Sequence, residues 1–351
     1  MTFEEFIMQA REMNASDIHL TVGAPTVVRV NGELRKYTEL SDQVVNRTIL
    51  SILSAEQEKM LTEGKDIDFS FELKNGARQR VNVFRQSGKL AACIRLLNAE
   101  IPTLEELKMP PVLLEFAKKR RGLVLVTGPT GAGKSTTLAV LMEYINKTRA
   151  CHVITIEDPI EYRYKQEKAT IHQRELGRDV PSFHEALRSA LREDPDVILI
   201  GEMRDYETIS LAMTAAETGH LVFGTLHTSS AAQTVDRIID ACPIHSQDQV
   251  RSQLASMIQG IIAQTLIPRA DGKGRVAAVE VMIGTDAIRN LIRSAKINMM
   301  ETTMAAGARD GMCTLNASLA NLYKTGQISY ETALEYATDR GEMEKKLLSG
   351  I

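Results

Sequence analysis

Residues 123–135 join an apolar run to a glycine-rich loop, and they read Leu-Val-Leu-Val-Thr-Gly-Pro-Thr-Gly-Ala-Gly-Lys-Ser. The last eight residues match G-x-x-x-x-G-K-S, the pattern of a phosphate-binding P-loop. Its glycines turn backbone N–H groups toward phosphate oxygens, its lysine adds a charge at the β- and γ-phosphates, and its serine hydroxyl can bind Mg²⁺. We therefore predict an ATP site with Mg²⁺ at Ser135. The predicted nucleotide-binding residues are Gly128, Pro129, Thr130, Gly131, Ala132, Gly133, Lys134, Ser135 and Thr136.

The elements on either side of this loop fit the same chemistry. Leu123–Thr127 is apolar enough for a buried strand, and residues 136–146 carry apolar side chains at helical spacing. The loop thus leads from a strand into a helix, and the N-terminus of that helix points at the phosphates.

Three further predicted strands end in polar residues that could act on a phosphate. The strands are His152–Ile156, Val197–Ile200 and Leu221–Leu226, and the residues that follow them include Glu157, Glu202 and His227. In open α/β sheets, ligands bind at the carboxyl ends of the strands. Phosphoryl transfer needs a carboxylate that orients or deprotonates the attacking water, together with groups that sense the γ-phosphate.

Glu202 is the expected catalytic base. The residue before it is Gly201, where the common P-loop pattern has an aspartate that holds Mg²⁺. This departure leaves Ser135 and Glu157 as the candidates for binding the metal.

The first hundred residues have a different pattern, which indicates a small α+β domain on an antiparallel sheet. We predict a hairpin turn at Asn31-Gly32, a single helix from about Ser41 to Leu61, and a strand at Ala77–Gln86. Three prolines interrupt regular structure between residues 101 and 111. The predicted divisions are an N-terminal domain at 1–100, a linker at 101–111 and an α/β domain with C-terminal helices at 112–351.

Composition sets limits on the kind of protein. The chain has 351 residues, a formal net charge of −3, 44% hydrophobic residues and four cysteines. Nothing in this charge favours nucleic acid, and the cysteines are too scattered for a local zinc site. The acidic start differs from a secretory signal, and no apolar run approaches the length of a membrane span. We expect a cytoplasmic protein without direct membrane insertion, which acts at a membrane through a partner.

Four sequence boxes resemble those of the type II/IV secretion ATPase superfamily. Residues 155–161 (TIEDPIE) are similar to its Asp box, 196–205 (DVILIGEMRD) to its Walker B segment and 218–228 (TGHLVFGTLHT) to its His box. Residues 287–293 (AIRNLIR) resemble the signature of its PilT branch, the type IV pilus retraction ATPases. That signature normally ends in glutamate, whereas Ser294 stands here.

The resemblance implies a homohexameric ring at the cytoplasmic face of the inner membrane. Each subunit is expected to have a PAS-like N-terminal domain and a RecA-like ATPase domain. By the family's pattern Arg80 and Arg95 match the arginine fingers that reach a neighbour's active site, and Arg78 is a third candidate. Arg78 and Arg80 also share one face of their predicted strand. The implied partners are an inner-membrane platform protein and, indirectly, the pilin fibre.

Three functions remain open at this point. The first is pilus retraction powered by ATP hydrolysis, and the second is pilus assembly or type II secretion by a related motor. Such relatives usually carry a tetracysteine zinc element, which this sequence lacks. The third is a nucleic-acid translocase or a nucleotide-dependent switch. The weak net charge and the lack of basic-aromatic patches argue against a translocase.

The PilT-like segment also makes a structural prediction. Thr285-Asp286 should cap a helix whose apolar residues pack inward. Arg289 and Arg293 are four residues apart, so we expect them to share one face and to form a solvated cationic ridge.

Overall fold

The computed structural model describes residues 3–30, 32–97 and 100–348. The chain divides into two compact units. Unit 1 comprises Met1–Glu100 and Pro159–Arg163, and unit 2 comprises Ile101–Asp158 and Tyr164–Ile351.

Unit 1 is an antiparallel sheet of six strands with three helices. Its strand order is β3-β2-β1-β6-β5-β4. The elements are α1 (Phe3–Glu12), β1 (Ala15–Thr21), β2 (Thr26–Val30), β3 (Glu33–Thr38), α2 (Asp42–Leu50), α3 (Ala55–Thr62), β4 (Ile67–Glu72), β5 (Arg78–Gln86) and β6 (Lys89–Leu96).

The β2–β3 hairpin and the strand alternation agree with the predictions. Gly32 has φ +87°, a value that glycine adopts without strain, whereas Asn31 lies outside the described residues. On β5, Val81 and Val83 are fully buried while Arg80 and Asn82 on the opposite face are half-buried. The period of two along the strand therefore separates core from polar face as expected.

The predicted single helix from Ser41 to Leu61 is wrong, because the chain forms two helices there. α2 ends at Leu50, and Ser54 begins α3 with a capping box. The Ser54 hydroxyl accepts from the Gln57 N–H, and the Gln57 side chain accepts from the Ser54 N–H. These reciprocal bonds satisfy two amides that a continuous helix would have satisfied through its backbone.

Unit 2 is built on a seven-stranded sheet in the order β13-β12-β7-β11-β10-β8-β9. All neighbouring pairs are parallel except β12–β13. Its strands are β7 (Gly122–Thr127), β8 (His152–Glu157), β9 (Thr170–Glu175), β10 (Val197–Ile200), β11 (Leu221–Leu226), β12 (Ile258–Pro268) and β13 (Arg275–Ile283). Its α-helices are α4 (Leu113–Ala117), α5 (Lys134–Thr148), α6 (Phe183–Ala190), α7 (Tyr206–Glu217), α8 (Ala231–Asp240), α9 (Gln247–Met257), α10 (Asp286–Arg293), α11 (Met300–Ala306), α12 (Leu315–Lys324), α13 (Tyr330–Glu335) and α14 (Arg340–Leu348).

Helices cover both faces of this sheet, which explains its sequence pattern. β7, β10 and β11 are buried at every position, so they appear in the sequence as continuous apolar runs. The sequences of two other strands do not by themselves indicate a strand. β12 carries Gln259 and Gln264 within its apolar run, and β9 (TIHQRE) is mostly polar.

Residues 101–111 form turns rather than a regular element, and Leu104 and Met109 are buried in the core of unit 2. The role of this segment as a linker stays a prediction. Within residues 3–30, 32–97 and 100–348, none of the helices has the length and apolar character that crossing a membrane requires.

Candidate nucleotide site

The predicted catalytic groups follow or end four neighbouring strands of unit 2, so they lie at one edge of the sheet. The P-loop follows β7, His227 follows β11, Glu202 follows β10 after one residue, and Glu157 is the last residue of β8. These strands are adjacent and parallel in the order β7-β11-β10-β8. Their carboxyl ends therefore lie side by side, which is where open α/β sheets bind ligands.

The glycines of the P-loop adopt backbone conformations that other residues rarely reach. Gly128, Gly131 and Gly133 have φ values of +143°, +77° and +88°. A Cβ on Gly128 would lie 2.2 Å from the carbonyl oxygen of Gln264, so no side chain fits there. Gly133 is the N-cap of α5 and supplies no side-chain cap. The first amides of α5 are thus not covered by a capping side chain.

Lys134 begins α5, and its amine lies against the loop that precedes it. Its Nζ donates to the carbonyl oxygens of Gly128 at 2.8 Å and Pro129 at 3.1 Å. Ser135 and Thr136 follow in the same turn and are half-buried. The lysine amine is therefore next to the backbone that would surround a phosphate, as the motif predicts.

Gln264 braces the P-loop from β12, and the sequence analysis did not assign it a role. Its Nε2 donates to the carbonyl of Ala132 at 2.6 Å, and its Oε1 accepts from the Thr137 hydroxyl at 2.8 Å. Gln264 and Thr137 are both buried. The available signal was a polar amide inside an apolar run, which indicates a buried hydrogen-bonding partner somewhere in the fold.

Glu202 is held by two cationic or potentially cationic groups. Arg204 Nη2 lies 2.7 Å from its Oε2, and His227 Nε2 lies 2.9 Å from its Oε1. Arg204 lowers the pKa of the Glu202 carboxyl through a charged hydrogen bond; burial opposes this effect and His227 supports it. The carboxyl is therefore ionised at neutral pH. Each oxygen has one such contact, and a carboxylate oxygen has a second lone pair, so Glu202 can also accept a proton from a water.

Gly201 explains why the aspartate of the common pattern is absent. Its N–H donates to the carbonyl of Ile156 at 2.7 Å. A Cβ on Gly201 would lie 3.0 Å from that oxygen and 3.2 Å from the Glu157 Cα. Glycine thus allows the ends of β8 and β10 to approach closely. Glu157 is half-buried, and its Oε1 accepts from Thr155 at 2.6 Å.

Hydroxyl groups connect the His227 loop to the P-loop strand. Thr228 Oγ1 lies 2.7 Å from Thr234 Oγ1 in α8, and Thr234 lies 3.5 Å from the Thr127 hydroxyl. Thr127 immediately precedes Gly128. On the other side, the Thr225 hydroxyl donates to the carbonyl of Gly201, next to Glu202. The end of β11 and the loop after it therefore contact both neighbouring segments, the one before the P-loop and the one before Glu202.

Comparison with known proteins fits this geometry. The family model described as "Type II/IV secretion system protein" matches residues 1–344. The chain belongs to this family. It is 49% identical over 339 residues to the "Type IV pilus retractation ATPase PilT" of Pseudomonas aeruginosa, with 96% of this chain and 98% of that protein covered. It is 48% identical over 319 residues to the "Twitching motility protein" of Neisseria gonorrhoeae, with coverages of 90% and 85%.

A solved structure supports the same assignment at the level of the fold. The structure titled "Crystal Structure of the Pilus Retraction Motor PilT and Bound ADP" superposes with a TM-score of 0.91 at 47% identity, covering 98% of this chain and 99% of that one. The mixed α/β architecture with two sheets is thus that of a secretion-family ATPase.

The three arginines that the family pattern singled out all lie in unit 1 and have partners there. Arg80 pairs with Asp68 at 2.6 Å, and Arg95 pairs with Asp17 at 2.9 Å. Arg78 is buried and donates to the carbonyl of Ile160. Their action as fingers stays a prediction, and a finger at Arg80 or Arg95 must first leave its carboxylate.

The predicted cationic ridge on α10 is wrong for one of its two arginines. Arg289 is half-buried, and its Nη2 donates to the carbonyl of Ile258 at 3.1 Å. Ile258 is the C-cap of α9, so Arg289 satisfies a helix-terminal acceptor. Arg293 is exposed. The spacing of four places both arginines on one face, but the packing of α10 against α9 buries the first.

Proposed function

We propose that this chain is an ATP-hydrolysing motor that powers type IV pilus retraction. The observation that carries the proposal is the 49% identity to a pilus retraction ATPase over 96% of the chain. The P-loop and the Glu202–His227 pair at the same sheet edge supply the chemistry that such a motor needs.

Each predicted residue has a role in this proposal. The glycine-rich loop and Lys134 hold the phosphates, and Ser135, with Glu157 as the second candidate, would hold Mg²⁺. When bound, Mg²⁺ neutralises charge on the β- and γ-phosphates. Glu202 takes a proton from the attacking water. The position of His227 then depends on whether the γ-phosphate is present, and the loop that leads into α8 moves with it.

The loop geometry fits the phosphate group on grounds of space and charge. The loop has no room for a side chain at Gly128, where a Cβ would clash with the carbonyl oxygen of Gln264. The first turn of α5 has no capping side chain. Backbone N–H groups in such a turn bind phosphate oxygens.

The working assembly in this proposal is a homohexamer on the cytoplasmic side of the inner membrane. Arg80 and Arg95, with Arg78 as the third candidate, act on the nucleotide of a neighbouring subunit. The ring engages an integral platform protein, and through it withdraws pilin subunits from the fibre.

The deciding experiment is a Lys134→Ala allele in cells that depend on this chain for pilus dynamics. We expect long, abundant pili and loss of twitching, because assembly continues without retraction. The matched control is Lys147→Ala at the other end of α5, where the lysine is exposed and pairs with Glu143. Its phenotype should be that of wild type.

Other outcomes separate the competing functions. Cells without pili, or with a secretion defect, would overturn retraction in favour of an assembly or type II secretion motor. Unchanged pili together with a nucleic-acid transfer defect would favour a translocase, which the net charge of −3 does not support.

A further inference from the structure

Gln264 lies on the part of β12 that continues past the end of β7. The two strands pair from Ile258 onward, and the pairing ends with Ala263 opposite Thr127, the last residue of β7. Gln264 is therefore the next residue along, beside the point where Gly128 begins the P-loop. A Cβ on Gly128 would lie 2.2 Å from the carbonyl oxygen of Gln264. The backbone of β12 thus runs directly beside the first turn of the loop.

The side chain of Gln264 is fixed at both ends by hydrogen bonds. Its Nε2 donates to the carbonyl of Ala132 at 2.6 Å, and its Oε1 accepts from the Thr137 hydroxyl at 2.8 Å. A carbonyl oxygen can only accept, so the amide nitrogen must be the atom that faces Ala132. Gln264 is 3% exposed and Thr137 is 2% exposed. Both bonds are therefore inside the protein, where a lost partner is costly.

The peptide unit between Ala132 and Gly133 has little to fix it within the loop itself. Glycines lie on both sides of Ala132, with φ +77° at Gly131 and +88° at Gly133. Reversing a peptide unit changes mainly the ψ of the residue before it and the φ of the residue after it. Because glycine adopts positive and negative φ about equally well, Gly133 tolerates both orientations. The hydrogen bond from Gln264 selects one of them.

This hydrogen bond also determines the direction of the next N–H group. A peptide unit is planar and, away from proline, almost always trans, so its C=O and N–H point in opposite directions. The Ala132 carbonyl points to Gln264, and the Gly133 N–H therefore points away from the Gln264 amide. Gly133 immediately precedes Lys134, within the stretch whose N–H groups the P-loop pattern assigns to the phosphates.

We propose that Gln264 is a positioning residue for the nucleotide phosphates: it holds the Ala132 carbonyl so that the Gly133 N–H faces the bound phosphate. The proposal deepens the ATPase function proposed above and rests on it. An N–H group of the loop contacts the phosphates in the ground state and in the transition state alike. Gln264 therefore governs nucleotide affinity rather than the rate of the chemical step.

The first test is Gln264→Met, which keeps an unbranched side chain and removes both hydrogen bonds. We expect the ADP dissociation constant and the KM for ATP to rise about 10- to 100-fold, as for the loss of a hydrogen bond to a charged group. The kcat should stay within about threefold of wild type. Calorimetric titration with ADP and steady-state phosphate release measure these quantities.

The matched control is Gln259→Met on the same strand. Gln259 Nε2 donates to the carbonyl of Arg121 at 3.1 Å, just before the start of β7 and away from the P-loop. This variant loses a comparable hydrogen bond, but its ADP affinity should change by less than about twofold. Equal ADP affinities in the two variants would overturn the proposal. A fall in kcat with unchanged KM in Gln264→Met would also overturn it.

The second test, Gln264→Glu, makes the donor to Ala132 depend on pH. A protonated carboxyl can donate to that carbonyl, whereas a carboxylate cannot. Burial raises the pKa of a carboxyl, so we expect the change between about pH 6 and 9.5. At matched pH, the ratio of wild-type to variant ADP affinity should be near one at the acidic end and rise tenfold or more at the basic end. A constant ratio over this range would refute the role of Gln264.

The proposed function and the role of Gln264 fail in different ways. Wild-type protein that binds no ADP, or binds it without hydrolysing ATP, would refute the ATPase function. Wild-type protein that hydrolyses ATP and binds ADP no more tightly than Gln264→Met would refute only the role of Gln264. If Gln264→Met does not fold, the pH dependence of Gln264→Glu decides the question, since its protonated form keeps both hydrogen bonds.

Discussion

Two helices of unit 2 begin at the carboxyl ends of neighbouring parallel strands, and their N-termini are treated in opposite ways. α5 follows β7 through the P-loop, and its N-cap is Gly133 without a side-chain cap. α8 follows β11 through the His227 loop. Its N-cap Ser230 accepts from the Gln233 N–H, and the Glu280 carboxylate accepts from the Ala231 N–H.

The difference shows that the partial positive charge of a helix N-terminus can serve two purposes. An anion at a helix N-terminus is stabilising whether a ligand or the protein supplies it. The uncapped terminus of α5 leaves its first amides open to a phosphate, whereas at the N-terminus of α8 the buried Glu280 carboxyl accepts from the Ala231 N–H. The first terminus is the candidate phosphate site, and the second is occupied by a contact within the protein.

The largest expected effect concerns the negative charge of the phosphates, which the N-terminus of α5 does not neutralise alone. Arg80→Ala should lower turnover about 10³-fold or more if the residue acts as a finger in trans. Mixing Arg80→Ala and Lys134→Ala subunits should restore part of the activity, since some interfaces then hold both intact halves. The measurement is steady-state phosphate release, with Arg35→Ala as a control in the same unit. An isolated monomer as active as the ring would contradict the prediction.

The second largest effect is expected at Glu202, which follows β10, the strand that pairs with β11. Glu202→Gln should bind ATP but lose roughly 10²–10⁴ in turnover, because the amide cannot accept a proton from water. The hydrogen bond to His227 can persist, so the loop leading to α8 should stay in place. Nucleotide affinity and phosphate release are measured together. Turnover within threefold of wild type would exclude Glu202 as the base.

A smaller effect is a change in pH dependence. Arg204 lowers the pKa of Glu202, so Arg204→Ala should raise that pKa and move the acidic limb of the turnover profile to higher pH. Arg204→Lys keeps the charge and should move it less. Superimposable pH profiles for wild type and Arg204→Ala would show that a group other than Glu202 determines the acidic limb.

The PilT-like helix gives a prediction about stability. Arg289→Ala removes the donor to Ile258 and should lower the free energy of unfolding by about 1–3 kcal/mol. Arg293→Ala, at the exposed position, should change it by less than about 0.5 kcal/mol. A retraction defect in Arg293→Ala with normal ATPase activity would support a coupling surface. Full motility of the Arg293→Ala variant would indicate that α10 only packs against its neighbours.

The smallest effect returns to the α8 terminus. Ser230→Ala should cost about 1 kcal/mol of stability, a typical value for a lost N-cap. Because Glu280 still holds the Ala231 N–H, turnover should stay within about twofold. Ser329→Ala at α13 is the matched control, and chemical denaturation with phosphate release measures both variants. A tenfold loss of turnover in Ser230→Ala alone would show that the carboxylate is not the principal anchor.

Local sequence determined the parts of this protein whose physics is local. The P-loop glycines need conformations that only glycine adopts freely, and the runs in β7, β10 and β11 are apolar because both of their faces are covered. The order of strands and polar ends therefore indicates the candidate nucleotide site. The capping box at Ser54 is equally local, because Ser54 and Gln57 lie three residues apart.

Tertiary structure decided which distant groups meet. Gln264 reaches the P-loop from a strand 132 residues beyond Ala132, and Glu280 meets Ala231 across 49 residues. Arg289 is half-buried because the C-cap of α9 has a carbonyl that needs a donor. Sequence spacing fixes which residues share a face of one element, but it does not contain the partner that faces them. That partner is set by packing, where buried polar groups must be satisfied by whatever the fold brings within reach.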